Sequence, residues 1–315
     1  SRRGVYKVVV TCWHEQVTRF ALYGGRDLVM AAIEDRPFDV AGLVDELRDM
    51  AEDLCLGPST ASIVDAAEDR RIPTIRLNEK NLVQIGYGAR QRRIWTAETN
   101  RTSAIAEGIS RDKDLTNRLL RACGVAVPEG RVVESPQDAW AAAEDIGVPV
   151  VVKPIDANHG RGVCLDLSGR DDIESAYAVA LEEGSGVMVE RFIPGSEHRL
   201  LVVGGRMVAA LRGDAAWIVG NGRSTVEALI DRQLNSDPMR SGDANAPLFR
   251  IWLDSTLKLQ LRRQGLSADS VPAQGRRVLV QRNGNLTIDV TDRVHPSFCE
   301  AAALAARVIG QAEAH

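Results

Sequence analysis

The chain has 315 residues, enough for one large domain or two whose cores need no disulfide or metal staple. Apolar residues make up 44% and charged residues 26%, ordinary for a globular chain, and a net charge of -4 supplies no overall field for nucleic acid or an anionic membrane. The five cysteines (Cys12, Cys55, Cys123, Cys164, Cys299) show no C-x-x-C or paired spacing, which argues for free thiols in a reducing cytoplasm and against a zinc site.

No apolar run approaches the roughly 20 residues of a membrane span, and no apolar signal core follows the N-terminus. Residues 5–12 (VYKVVVTC) read as a strand on their β-branched content, so early that Ser1 is not expected to be the natural start of its domain. Residues 15–33 carry apolar side chains at helical spacing despite Gly24-Gly25, and Arg36-Pro37 breaks the pattern. Asp39 starts a second helix over 40–54. LGPST (56–60) is expected to be a turn whose Ser59 or Thr60 caps a helix over 61–70. Short strands follow at 71–78, 83–88 and 90–98. Arg90, Arg92 and Arg93 form either a solvated strand face or a basic rim for an acidic ligand.

Helices are expected at 103–108 and 112–123, the second closed by Gly124. A strand over 125–133 is interrupted by Pro128-Glu129-Gly130, and Ser135-Pro136 caps a helix over 137–146 that Gly147 stops. The stretch PVVVKPIDANHGRGV (149–163) comes next, then a helix over 171–182 and a strand over 187–192. Strands at 199–203 and 207–211 flank a Gly204-Gly205 turn. Ser224 or Thr225 caps a helix over 226–234, residues 235–247 form a polar loop, and a helix covers 255–264. A strand at 277–281 runs into the hairpin-like RNGNLTIDVTD, and a helix over 296–309 ends the series. Alternating helices and strands indicate α/β or α+β layers.

The stretch 149–163 organises the rest. An apolar run delivers Lys153 at a strand end, and a short loop with Gly160, Arg161 and Gly162 follows. Open backbone N–H groups beside two cations suit an anion, and a nucleotide triphosphate is the reading this supports. A β-hairpin with a solvated basic turn fits the same residues equally well. There is no G-x-x-x-x-G-K-[ST] phosphate loop and no G-x-G-x-x-G after a strand. Lys113 opens a helix, and Glu190 and Glu197 bracket VMVERFIPGSE.

The ordered series DKDLT, LLRACGVAVPEG, PVVVKP, NHGRGV and VMVERFIPGSEHRLLVV resembles the ATP-grasp ligases. EDRPFDV, LGPST, RQRRIWTAET, GNGRSTVEALID and QRNGNLTIDVTDRVHP narrow the resemblance to the cyanophycin synthetases. The resemblance implies an ATP-grasp fold over residues 55–315, with a lid subdomain at about 147–203, preceded in residues 1–54 by the end of a small α+β domain. It implies that Lys113 and Lys153 hold ATP phosphates, that Gly160, Arg161 and Gly162 close over them, and that His159 assists catalysis. Glu190 would face the adenine amino group, Glu197 the ribose, and Arg199 a substrate carboxylate. Ser59 and Thr287 would touch the polymer, or serve only as a cap and a turn residue.

The implied reaction uses ATP and Mg²⁺ to phosphorylate the C-terminal carboxylate of a β-Asp-Arg polymer (cyanophycin), after which the L-aspartate amine forms a peptide bond. The implied setting is a cytoplasmic homo-oligomer, dimer or tetramer. After Gly310 the chain leaves the family pattern, so its C-terminus reads as incomplete and no metal ligand is assigned. Other ATP-grasp peptide ligases, of the glutathione or D-alanine type, and a non-catalytic ATP- or polymer-binding module are the alternative readings.

Overall fold

The computed structural model describes residues 7–12, 14–157, 160–242, 248–282, 285–311 and 313–314. Compactness divides the chain into two units, Ser1–Asn100 and Arg101–His315.

In the first unit, the strand expected at 5–12 does not form over its described residues 7–12. Val8 and Val9 stand 75% and 91% exposed there. β-branched side chains favour an extended backbone, but a strand exists only with a ladder partner. Helices α1 (Glu15–Ile33) and α2 (Val40–Leu54) pack together. Asp39 caps α2 by accepting from the Gly42 N–H at 2.9 Å. Helix α3 (Pro58–Glu68) begins three residues before the expected Ala61. Pro58 takes its first turn, where a missing N–H costs no bond, so neither Ser59 nor Thr60 is the cap. Ser59 is exposed, whereas Thr60 turns inward and donates to the Thr96 carbonyl at 3.2 Å. Strands β1 (Thr74–Arg76), β2 (Leu82–Ile85), β3 (Arg92–Trp95) and β4 (Glu98–Thr99) form an antiparallel meander. Val83 and Ile94 from its inner face pack with Val64 of α3.

The second unit opens with α4 (Ala104–Arg111) and α5 (Lys113–Ala122). Ser103 and Asp112 cap them, accepting from Ala106 and Leu115 N–H groups at 3.1 and 2.9 Å. Strand β5 (Gly130–Val133) is shorter than expected because Pro128 has no N–H to give a ladder. Helix α6 (Pro136–Ile146) runs from its Ser135 cap to Gly147, whose φ of 87° suits a residue without a Cβ. Strand β6 (Val150–Pro154) then pairs with β7 (Cys164–Leu167), a strand too short to stand out in the sequence. Helix α7 (Arg170–Glu183) leads into β8 (Val187–Arg191). The sheet order is β5-β8-β6-β7, antiparallel throughout. Val150, Val152, Val187 and Val189 meet Ala142, Ile173 and Ala176 of α6 and α7 in a closed apolar layer. That rigid layer fixes where Lys153 and Glu190 emerge.

The hairpin β9 (Glu197–Val203) and β10 (Arg206–Gly213) turns at Gly204-Gly205 as expected. Strand β11 (Ala216–Val219), which sequence reasoning missed, precedes α8 (Val226–Gln233). The segments β12 (Arg240–Ser241) and β13 (Leu248–Phe249) pair in parallel, and α9 (Ser255–Arg263) follows. Strand β14 (Arg277–Gln281) pairs with β11, but β15 (Leu286–Asp289) pairs with β10. The expected hairpin at 282–292 is therefore a crossing between sheets. Helix α10 (Pro296–Ile309) matches its expected span and ends at Gly310 in the left-handed region, φ 83°. Segment β16 (Glu313–Ala314) adds to β9, giving a second sheet of order β15-β10-β9-β16. Helix α10 packs on β9 and β10 and also touches α4 and α5, which ties α5 to the second sheet. Among the described residues, no helix is long and apolar enough to cross a membrane.

Candidate functional site

Helix α5 presents Lys113 and Asn117 one turn apart on one face, as an i, i+4 pair must be. The Lys113 ammonium donates to the carbonyls of Ile155 and Ala157 at 3.0 and 2.8 Å, the residues just past β6. Asn117 donates its amide to Glu190 Oε1 at 2.7 Å. The other oxygen, Oε2, faces Lys153 Nζ at 2.5 Å, with the two side chains 4% and 19% exposed. Glu190 and Lys153 lie on adjacent strands, β8 and β6, and Val151 stands directly across from Glu190. Residues from three places far apart in the sequence, helix α5 and strands β6 and β8, thus form one polar cluster on the sheet.

The cluster is electrostatically tight. Burial and the nearby Lys153 ammonium hold the Lys113 pKa below the ordinary lysine value, while Asp156 and Glu190 pull it partly back. Asp156 accepts from the Ser185 N–H at 2.9 Å and its hydroxyl at 2.7 Å, which fixes the root of the loop to the α7–β8 turn and keeps this carboxyl below its usual range. Two glycines allow the close fit. A Cβ on Gly130 would fall 2.5 Å from Glu190 Cγ, and one on Gly184 would fall 2.6 Å from Pro154 Cβ.

Of the expected site residues, Lys113, Lys153 and Glu190 come together. Gly160 and Gly162 adopt φ of 73° and 68°, a turn that L side chains resist. Exposed Arg161 approaches Glu183 at 3.7 Å. His159 lies outside the described residues, as does Asn158. Glu197, Arg199 and Thr287 gather at one end of the second sheet. Glu197 pairs with Gly213 of β10, and Arg199 pairs with Leu211. Thr287 sits where β15 bulges against Arg212 and Gly213. Arg199 and Thr287 are exposed. Ser59 belongs to the other compact unit. Asn117 and Gly130 escaped the sequence reading. Asn117's spacing from Lys113 was the available signal; Gly130 looked like a turn residue beside Pro128.

A cavity of about 590 Å³ adjoins the loop at Gly160 and Arg161, reaching Trp252, Leu257 and Arg282, but includes none of the cluster residues. Its arginines are turned to the chain: Arg263 donates to the Leu165 and Asp166 carbonyls, and Arg282 to the Asp166 carboxylate. The Lys113–Lys153 cluster lies apart from this cavity, and its cations are likewise partnered, Lys153 by Glu190 and Lys113 by two backbone carbonyls. No group of three or more His, Cys, Asp or Glu that could hold a metal occurs among the described residues. At phosphoryl-transfer sites Mg²⁺ rests on one or two carboxylates together with nucleotide phosphates and water, so a cluster of that size is not what it requires.

The ATP-grasp domain pattern matches residues 107–271, more than half of the chain and all four members of the cluster. The chain belongs to the ATP-grasp family. ATP-grasp ligases use ATP, and the mixed helix and strand layers are this family's fold. Cyanophycin synthetase of Nostoc sp. (strain PCC 7120) is 36% identical over 98% of this chain and 35% of its own length. The cyanophycin synthetase of Crocosphaera subtropica is likewise 36% identical, over 98% of this chain and 36% of its own. The glutathione biosynthesis bifunctional protein GshAB of Clostridium perfringens is 31% identical over 73% of this chain. This ATP-grasp chain thus spans about a third of the length of the curated cyanophycin synthetases it matches. A crystal structure of a bifunctional glutathione synthetase from Pasteurella multocida aligns over 87% of the chain and 39% of its own, with 28% identity and a TM-score of 0.49.

Proposed function

We propose that this chain is the ATP-dependent ligase portion of a cyanophycin synthetase. The observation that carries the reading is the match to those synthetases across 98% of the chain, against 73% for the glutathione relative. The reaction phosphorylates the C-terminal carboxylate of a β-Asp-Arg polymer; the L-aspartate amine then displaces phosphate and forms a peptide bond. Lys113 and Lys153 neutralise and orient the nucleotide phosphates, and the backbone of Gly160, Arg161 and Gly162 lies over them. Each Glu190 oxygen has a second lone pair, so the carboxylate can accept from the adenine amine as well as from Lys153 and Asn117. Glu197 takes the ribose hydroxyls and Arg199 a substrate carboxylate, for which a planar two-pronged donor is suited. Ser59 and Thr287 contact the polymer, and His159 acts at the reacting group. Mg²⁺, a cytoplasmic location and a homo-oligomeric state belong to the same proposal.

The test is incorporation of labelled L-aspartate into a β-Asp-Arg primer with ATP. Lys153→Ala is expected to abolish it. Turnover with glutathione precursors in place of aspartate and primer would select the other ligase reading, and ATP binding without any transfer would select a binding module. An aspartate-adding Lys153→Ala variant would remove the phosphate assignment.

A further inference from the structure

We propose that Asn117 is a positioning residue of the nucleotide site: its amide holds the Glu190 carboxylate so that the second oxygen sets the place of the Lys153 ammonium. This inference rests on the nucleotide reading of that cluster. The chain of contact is short, Asn117 Nδ2 to Glu190 Oε1 at 2.7 Å and Glu190 Oε2 to Lys153 Nζ at 2.5 Å. Glu190 is 3% exposed, so water is a poor substitute for the amide. A carboxylate with one oxygen unpartnered in such a place turns to recover a donor, and Lys153 moves with it. Gly130, directly across the ladder from Glu190, offers no side chain to replace the amide. The same helix face carries Lys113, which grips the loop root at Ile155 and Ala157. One turn of α5 therefore registers both the strand-borne lysine and the loop that follows it.

A change of one atom group makes this testable by pH. In Asn117→Asp, two carboxyls share a hydrogen-bond distance, and one must keep a proton. The protonated form donates to Glu190 as the amide does; the ionised form repels it. The other charged groups at the cluster are Lys153 from β6, Lys113 from α5 and Asp156 at the loop root. All three are present in wild type and variant alike, so the ratio of the two affinities reads the carboxyl that the substitution adds.

The experiment is ATP titration by calorimetry of the full chain at several pH values, with the thermal melt of each variant as a folding check. Asn117→Ala is expected to weaken ATP by about tenfold with a ratio to wild type that does not vary with pH. Asn117→Asp is expected to bind within about threefold of wild type near pH 5.5 and about a hundredfold more weakly near pH 8.5. In a Glu190→Met background, Asn117→Ala is expected to change affinity by less than about twofold, because its only route of action is gone. A flat Asn117→Asp ratio, or additive losses in the Glu190→Met cycle, overturns the positioning role while wild-type binding leaves the nucleotide reading intact. Should Asn117→Asp fail to fold, the Glu190→Met cycle decides alone. Wild-type protein that takes up no ATP overturns both.

Discussion

Lys153 and Glu190 are each other's principal charge partner in a place where little water reaches. Removing one strands the other, so Lys153→Ala is expected to cost about 3–5 kcal/mol of stability in urea unfolding, beyond its effect on nucleotide binding. The double change Lys153→Met with Glu190→Met is expected to recover most of that loss, because two buried charges vanish together. A double variant as unstable as the single one would show that the pair is not the source of the cost. Cys164 gives a second residue-scale expectation. It is 5% exposed, and burial pushes its thiol pKa up to about 12. At pH 8 it holds almost no thiolate, so iodoacetamide should label exposed Cys12 and Cys123 in the native protein and reach Cys164 only after unfolding. Labelling of native Cys164 at the rate of Cys12 would contradict its burial.

Helix α5 is the element on which the cluster depends, and its first turn is secured by Asp112. Asp112→Ala is expected to lower stability by about 1 kcal/mol. It should also weaken ATP through Lys113, the next residue; an unchanged midpoint in urea would remove the cap from this account. At the facing strand, Gly130→Ala should displace Glu190 and reduce ATP affinity about as much as losing Asn117, since the added Cβ has no space. These elements also show what the chain disclosed before its fold was known. Helices with a polar cap, such as those begun by Asp39, Ser135 and Thr225, announced both start and span, because cap chemistry and helical periodicity are local. Lys113, Lys153 and Glu190 were legible through motif order. Ser59 and Thr60 misled because Pro58 can open a helix without a side-chain cap. Asn117 and β7 were hidden for another reason: their partners come from 73 residues away and from a neighbouring strand, which no local pattern encodes.

For the molecule as a whole, Lys113 couples the site to global stability. Its folded pKa lies below the ordinary 10.5, so between those two values the unfolded chain binds the more protons and stability rises with pH. Below that window the charged, partly buried ammonium costs stability at every pH; as pH climbs through it, the cost is relieved. Urea midpoints should therefore show an alkaline gain in wild type that Lys113→Met lacks, and parallel curves would refute it. The Asp156 clasp on Ser185 reaches further still. It joins the start of the glycine-bearing loop to a turn 29 residues later, and Gly184 lies flush against Pro154 within the same joint. Loop and turn are one transplantable part. Anyone exchanging residues 153–163 for a relative's version should carry 184–186 with them, since a graft taken without its seat arrives with nothing to fasten its root.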